Sequence, residues 1–98
     1  MKLRIKYLPR AAENRAQIKV YLSQFYPGTA KRFFALLKKK TSMIKEFPYS
    51  CPVYEHNTNY RVLIIGDYLM FYVVKESDNV IEVHRILHGS RDLTNLLD

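Results

Sequence analysis

Apolar and polar positions alternate from Lys2 to Leu8, with Leu3, Ile5 and Tyr7 on one side and Lys2, Arg4 and Lys6 on the other. A period of two predicts a half-buried strand, and Pro9 ends it. The period then becomes helical. Ala11, Ile18, Leu22 and Phe25 recur on one stripe, with the aliphatic stem of Arg15 filling it, which predicts an amphipathic helix from Arg10 to about Phe25. The Tyr26-Pro27-Gly28 turn stops that helix. Thr29 is placed to cap a second one, whose stripe runs Ala30, Phe33, Leu37, Thr41 and Ile44 with Phe34 beside it, ending near Phe47 before Pro48. So short a connection predicts an antiparallel helical hairpin covering one apolar surface.

From Tyr49 to Asn59 the prolines and the run Glu55-His56-Asn57-Thr58-Asn59 read as irregular backbone with a short strand near Val53. Alternation returns in Tyr60 to Ile65 and Tyr68 to Lys75, two strands joined by Gly66-Asp67, whose glycine suits a hairpin turn. Glu76-Ser77-Asp78-Asn79 makes the next turn, Val80 to Leu87 is the last strand, and Arg91 to Leu97 reads as a short helical tail. The predicted class is α+β in a single domain over 1–98: an N-terminal strand, an antiparallel helical hairpin, a three-strand antiparallel meander and a short C-terminal helix. The first strand is free to join the sheet while the hairpin packs on one face, leaving the other face open to bind.

Charge adds a direction to this picture. The formal net charge is +7, but residues 1–48 carry twelve Lys or Arg against Glu13 and Glu46, and residues 49–98 carry four against seven acids. The positive field belongs to the first half, and much of it to the outer face of the second helix: Lys31, Arg32, Lys38, Lys39, Lys40 and Lys45. Such a field suits nucleic acid, an acidic protein or an anionic membrane, and a run of this kind also serves as a plain solvated face. No segment has the roughly 20 apolar residues needed to span a bilayer, and the opening residues lack the apolar core of a secretory signal. The lone Cys51 forms no internal bridge and reads as an ordinary small residue, so a reducing cytoplasm is the expected compartment.

Several local words, in this order, resemble the RelE/ParE toxins. They are Arg10-Ala11 through Ile18 and Tyr21-Leu22, the Pro27 and Ala30 helix start, the Phe47-Pro48 stop, Tyr60-Arg61-Val62-Leu63, Gly66-Asp67-Tyr68-Leu69-Met70-Phe71-Tyr72, and the ending Arg85-Ile86-Leu87-His88-Gly89-Ser90-Arg91-Asp92. They span nearly the whole chain. The resemblance implies a toxin held silent by a cognate antitoxin in a hetero-oligomer, acting either on DNA gyrase, as ParE-like toxins do, or on messenger RNA at the ribosome, as RelE-like toxins do. Fold does not choose between them. No small-molecule cofactor and no membrane partner is implied.

The chemistry of the second branch needs a base for the 2′-hydroxyl, cations around the phosphorane and an acid for the leaving oxygen. Relative to RelE-like nucleases, Arg61 keeps a basic position, whereas Leu63 stands where a second is expected, and Leu69 replaces an arginine that would clamp the phosphate. A reduced nuclease would draw on Arg61, His88 and Arg91, with His84, Arg85, Tyr68, Tyr72 and Glu55 near the same face. His88 and Gly89 equally suit a turn into the tail, and His84 and Arg85, as strand neighbours, face opposite sides and serve no common site. Metal catalysis has no support, because no His, Cys or carboxylate cluster has ligand spacing. The His88-Gly89-Ser90-Arg91-Asp92 ending and the missing arginine look more like the ParE branch. In that branch Arg61, Arg85, Arg91, Lys38 and Lys39 would contact a target or nucleic acid. Two further readings remain open, a plain nucleic-acid-binding module and a basic surface that merely attracts an acidic antitoxin tail. The toxin reading presumes a curled antiparallel sheet with one open side, and counts parallel strands or a sheet covered on both faces against itself.

Overall fold

The structure, a computed structural model, describes residues 2–90. The chain runs β1 (Arg4–Tyr7), α1 (Pro9–Leu22), α2 (Thr29–Glu46), β2 (Arg61–Ile65), β3 (Tyr68–Lys75), a short 3-10 turn (Glu76–Asp78) and β4 (Val80–His88). The strands form one sheet in the order β1-β4-β3-β2. The predicted tail from Arg91 lies outside the described residues.

The meander is antiparallel as expected, but β1 pairs parallel to β4, with Arg4 opposite Val80 and Tyr7 opposite Val83. This corrects the all-antiparallel sheet, and the reason lies in the helices. α1 continues the direction of β1, so that Asn14 reaches Ile86 well beyond the last pair at Val83. α2 then returns: Phe33 near its start stacks on Tyr68 at the far end of the sheet, and Lys45 near its end accepts a bond from the Leu3 N–H. The chain therefore enters β2 at the end where β1 began. An up-down-up meander from that point leaves β4 pointing the same way as β1. Parallel pairing follows from the helical hairpin, so parallel strands do not count against the toxin reading as the sequence analysis holds: one parallel pair comes with the predicted element order.

Alternation sorts the side chains into two layers. On one face Leu63, Ile65, Tyr68, Met70, Tyr72, Ile81, Val83 and Ile86 meet Ala11 and Ile18 of α1 and Leu37 and Ile44 of α2 in the main core. On the other, Phe71 and Leu87 are buried beneath Tyr54, Tyr60, Val62 and Leu69. The second face is thus partly covered by the loop after α2, while Ile64 stays 58% exposed on it. Arg15 sits in the helix–strand interface as expected, its guanidinium 4.5 Å from the Tyr7 ring centroid and 5.5 Å from that of Phe34.

Three local expectations change. α1 ends at Leu22 and not near Phe25, because Ser23 folds back to bond the Lys19 carbonyl through both its N–H and its hydroxyl. Phe25 is left exposed, edge-on to Tyr21. Thr29 does not cap α2; its hydroxyl donates to the Tyr26 carbonyl, and Gly28 occupies the cap position at φ 88°, a left-handed conformation that glycine adopts without a Cβ penalty. The β2–β3 turn behaves as predicted. Gly66 has φ 58° and Asp67 does not, the sign pattern of a type II′ hairpin.

Candidate functional site

Arg61, the first residue of β2, is opposite Tyr72 and so points to the helix-bearing side. Its Nη1 donates to the Cys51 carbonyl at 2.7 Å, and its guanidinium lies 4.9 Å from the Tyr49 ring centroid. Tyr49 in turn donates its hydroxyl to Glu76, and the Tyr72 hydroxyl donates to the Pro48 carbonyl at 2.9 Å. These bonds hold the segment leaving α2 against β2 and β3, where Val53 bridges to Arg61. Burial, with the Cys51 side chain beside it, holds the Tyr72 phenol well above the usual tyrosine range, and the bond to Glu76 raises that of Tyr49. The sequence offered Arg61 as a contact residue. The signal for its bonded role, two prolines flanking Cys51, was legible only as a turn.

The second cluster lies at the far end of the sheet. His88 pairs with Tyr68, their rings 5.2 Å apart, and both face the helices. The Ser90 N–H donates to His88 Nδ1 at 3.2 Å and the Ser90 hydroxyl lies 2.7 Å from the same atom. An Nδ1 that accepts leaves the proton of the neutral ring on Nε2. His88, Tyr68 and Ser90 share a cavity of about 380 Å³ with Asn14, Gln17 and Tyr21 of α1. Asn14 is only 8% exposed, and its Oδ1 accepts both the Arg85 Nε–H at 3.0 Å and the Ile86 N–H at 3.1 Å. It therefore supplies β4 with the partner that β1, ending at Tyr7, no longer provides. The sequence reading passed over Asn14, although a polar residue three positions after Ala11 and four before Ile18 was the available signal.

His84 lies on the opposite face. Its ring is 5.1 Å from that of Tyr60 and its Nε2 is 3.4 Å from Glu82. A bulge shifts the register here, Phe71 facing Arg85 while Tyr72 faces Val83. The bulge breaks the strict alternation that would place His84 and Arg85 on opposite faces: Val83 and Ile86 both enter the main core and Arg85 pairs with Phe71 of the second cluster, although the two side chains still reach different partners. Leu63 belongs to the main core and Leu69 to the second cluster, so neither position offers a hydrogen bond.

The candidate residues do not converge. Arg61 and His88 share a side of the sheet, but their partners Tyr72 and Tyr68 are four residues apart on β3 and they stand two strands apart, which separates their backbones by about 16 Å. Arg85 is joined to α1. Lys38 and Lys39 are exposed on α2, away from both clusters, and Glu55 is exposed beside His56. Arg91 lies outside the described residues. Among the described residues no helix is long and apolar enough to cross a membrane.

Comparison with known proteins places this arrangement. A family model described as the ParE toxin of the type II toxin–antitoxin system parDE matches residues 5–93. The toxin in a chromosomal ParDE system from P. aeruginosa superposes with a TM-score of 0.70 at 16% identity, covering 89% of this chain and 96% of that one. A mutant of the E. coli toxin RelE in its free state gives 0.63 at 15% identity, covering 99% and 94%. The RelBE2 toxin–antitoxin complex from Mycobacterium tuberculosis gives 0.61 at 12% identity, covering 90% and 99%. No curated protein matches.

Proposed function

Because the chain belongs to the ParE toxin family of type II toxin–antitoxin systems, we propose that it stops growth by poisoning DNA gyrase and that a cognate antitoxin holds it silent. The observation that carries this reading is where the cations go. RNA cleavage requires positive groups gathered around one phosphate with a base and an acid in reach. Here the Arg61 guanidinium is taken up by the Cys51 carbonyl and the Tyr49 ring, Arg85 by Asn14, and the positions of Leu63 and Leu69 are apolar. Among the described residues, the cavity that His88 faces is lined by no Lys or Arg. A toxin built this way works by binding. The antitoxin is supported by the similar folds found in a ParDE system and in a RelBE2 toxin–antitoxin complex.

The test is a cleavage assay with purified gyrase and supercoiled plasmid. Linear DNA should accumulate in proportion to added toxin and be released after protease treatment. If toxin that arrests growth yields no linear DNA at a large molar excess over gyrase, the reading fails.

A second reading, a RelE-like ribosome-dependent endoribonuclease, is favoured by one observation: His88 bears its Nε2 proton next to Tyr68 in a cavity large enough for a nucleotide base. Primer extension on translated messages decides it. New 5′ ends inside reading frames, lost in His88→Ala, would support cleavage, and intact messages in arrested cells would exclude it.

A further inference from the structure

We propose that the solvent face of α2 is a docking ridge for duplex DNA, holding its phosphate backbone without reading its sequence. The helix has 18 residues and is therefore roughly 27 Å long. Lys31, Lys38 and Lys45 recur every seven residues, so they fall on one line about 10.5 Å apart. Arg32 and Lys39 repeat the same spacing on a second line. At about 100° per residue all five occupy an arc of roughly 140° facing away from the buried stripe of Leu37, Thr41 and Ile44, with Lys45 half-buried at its edge and Glu46, seven residues after Lys39, closing the second line at the helix end.

Among the described residues this charge is left without acidic partners, and of the five only Arg32 makes a side-chain bond, to Thr29 at 3.5 Å in its own helix turn. Among the described residues, none of the five cations has a carboxylate within 4.0 Å. Lys40, the remaining cation of the run, turns inward and donates to the Ile64 carbonyl at 2.6 Å. A helix relieves a row of lysines most simply with acids four residues away. Here the positions four residues after Lys31 and Lys38 are Ala35 and Ser42. The two small residues lie between the cation lines and keep the helix surface low there, so that a rod-shaped polyanion can approach while the long side chains reach round it.

The same arc argues for the duplex over other polyanions. It carries no aromatic ring on which unpaired bases would stack. It also lacks the large apolar anchors that a bound acidic peptide would require, Met43 lying at its margin. Alanine and serine make no bidentate contact with base edges, so binding depends on charge spacing alone. The ridge stands apart from the gyrase reading: it concerns DNA binding by the isolated chain, and loss of gyrase poisoning would leave it untouched.

Fluorescence anisotropy of the purified full-length chain with a labelled 20-base-pair duplex of arbitrary sequence tests it between 50 and 200 mM KCl. Five phosphate contacts predict a slope of log affinity against log salt of about −4.5, or roughly 500-fold weaker binding across that range. Lys38→Gln with Lys39→Gln should bring the slope to about −2.7 and weaken binding about tenfold or more at 100 mM. Lys2→Gln with Lys6→Gln removes equal charge from the N-terminal segment and should leave the slope unchanged. Ala35→Glu with Ser42→Glu keeps every lysine and adds helix-favouring pairs, so it should abolish binding with the far-UV circular dichroism retained. The proposal is overturned if both lysine pairs weaken binding equally, if Lys38→Gln with Lys39→Gln has no effect, or if single-stranded RNA or polyglutamate binds more tightly at the same salt.

Discussion

Replacing Asn14 by alanine should cost about as much stability as truncating a buried aliphatic side chain of α1 such as Ile18. The side chain is 8% exposed and its one oxygen accepts two donors, the Ile86 N–H in the interior and the Arg85 Nε–H. Alanine leaves both without that partner. An unpaired buried backbone N–H costs about 1–3 kcal/mol, and a lost bond to a charged donor about 1.5–3 kcal/mol. Water entering from the adjoining cavity restores part of the second loss, and alanine regains a few tenths of a kcal/mol as the better helix former. The expected net loss is about 2–4 kcal/mol, which for a domain of this size lowers Tm by roughly 10–25 °C. Asn14→Asp keeps the acceptor and adds an opposite charge to Arg85, so it should stay within about 1 kcal/mol of the parent. Urea unfolding followed by circular dichroism measures both. A loss below about 0.5 kcal/mol for Asn14→Ala, or an equal loss for Asn14→Asp, would refute the argument that this amide completes the edge of β4.

Three other outcomes follow from the same geometry. The raised Tyr72 pKa contributes stability that is complete below the unfolded value of about 10 and is lost as pH rises above it, so Tyr72→Phe should flatten the alkaline limb of a stability-against-pH curve while costing about 1–2 kcal/mol at pH 7 through the unpaired Pro48 carbonyl. An unchanged alkaline limb would show that the phenol titrates normally. Arg61→Ala should lose about 1.5–3 kcal/mol in urea unfolding, because it removes a charge-assisted bond to the Cys51 carbonyl, and Arg61→Lys should recover only part of it, lacking the planar fork that lies over Tyr49. Gly66→Ala should cost about 1–2 kcal/mol from backbone conformation alone, since a Cβ there meets nothing within 4 Å; Gly66→Asn should cost less, and equal stability of all three would contradict the left-handed φ of 58°.

Most of the element order was legible because each element carries its own period. Leu3, Ile5 and Tyr7 alternate, Leu37, Thr41 and Ile44 repeat helically, and Gly66-Asp67 marks a hairpin; all three readings match the structure. The errors occur where a local signal competes with a distant one. Phe25 continues the stripe of α1 in the sequence, yet the chain must leave the helix at Ser23 to reach the Gly28 turn, and nothing remains for the ring to cover but Tyr21. The direction of β1 relative to β4 depends on which way α1 leaves the sheet, a property of three dimensions that no residue in Lys2–Leu8 encodes.

The candidate site was less legible for a further reason, which bears on how the two branches of this family are told apart. Residue type reveals that Arg61, Arg85 and His88 are able to touch phosphate, but whether they are available depends on who else claims them. Cys51, ten residues before Arg61, claims its guanidinium through a backbone carbonyl, and every residue has one of those. Asn14 claims Arg85 from 71 residues away. An arginine has five N–H donors, and Arg61 commits Nη1 and Arg85 commits Nε to the protein itself, so each guanidinium is anchored by its own fold before any partner arrives. The bonds of Arg61 and Arg85 therefore fix where each guanidinium lies, which residue type alone does not reveal. Among the described residues, the four lysines Lys31, Lys38, Lys39 and Lys45 on α2 have no carboxylate within 4.0 Å, and Arg32 donates only to Thr29 at 3.5 Å within its own helix turn, so the positive charge of that face remains available to a partner.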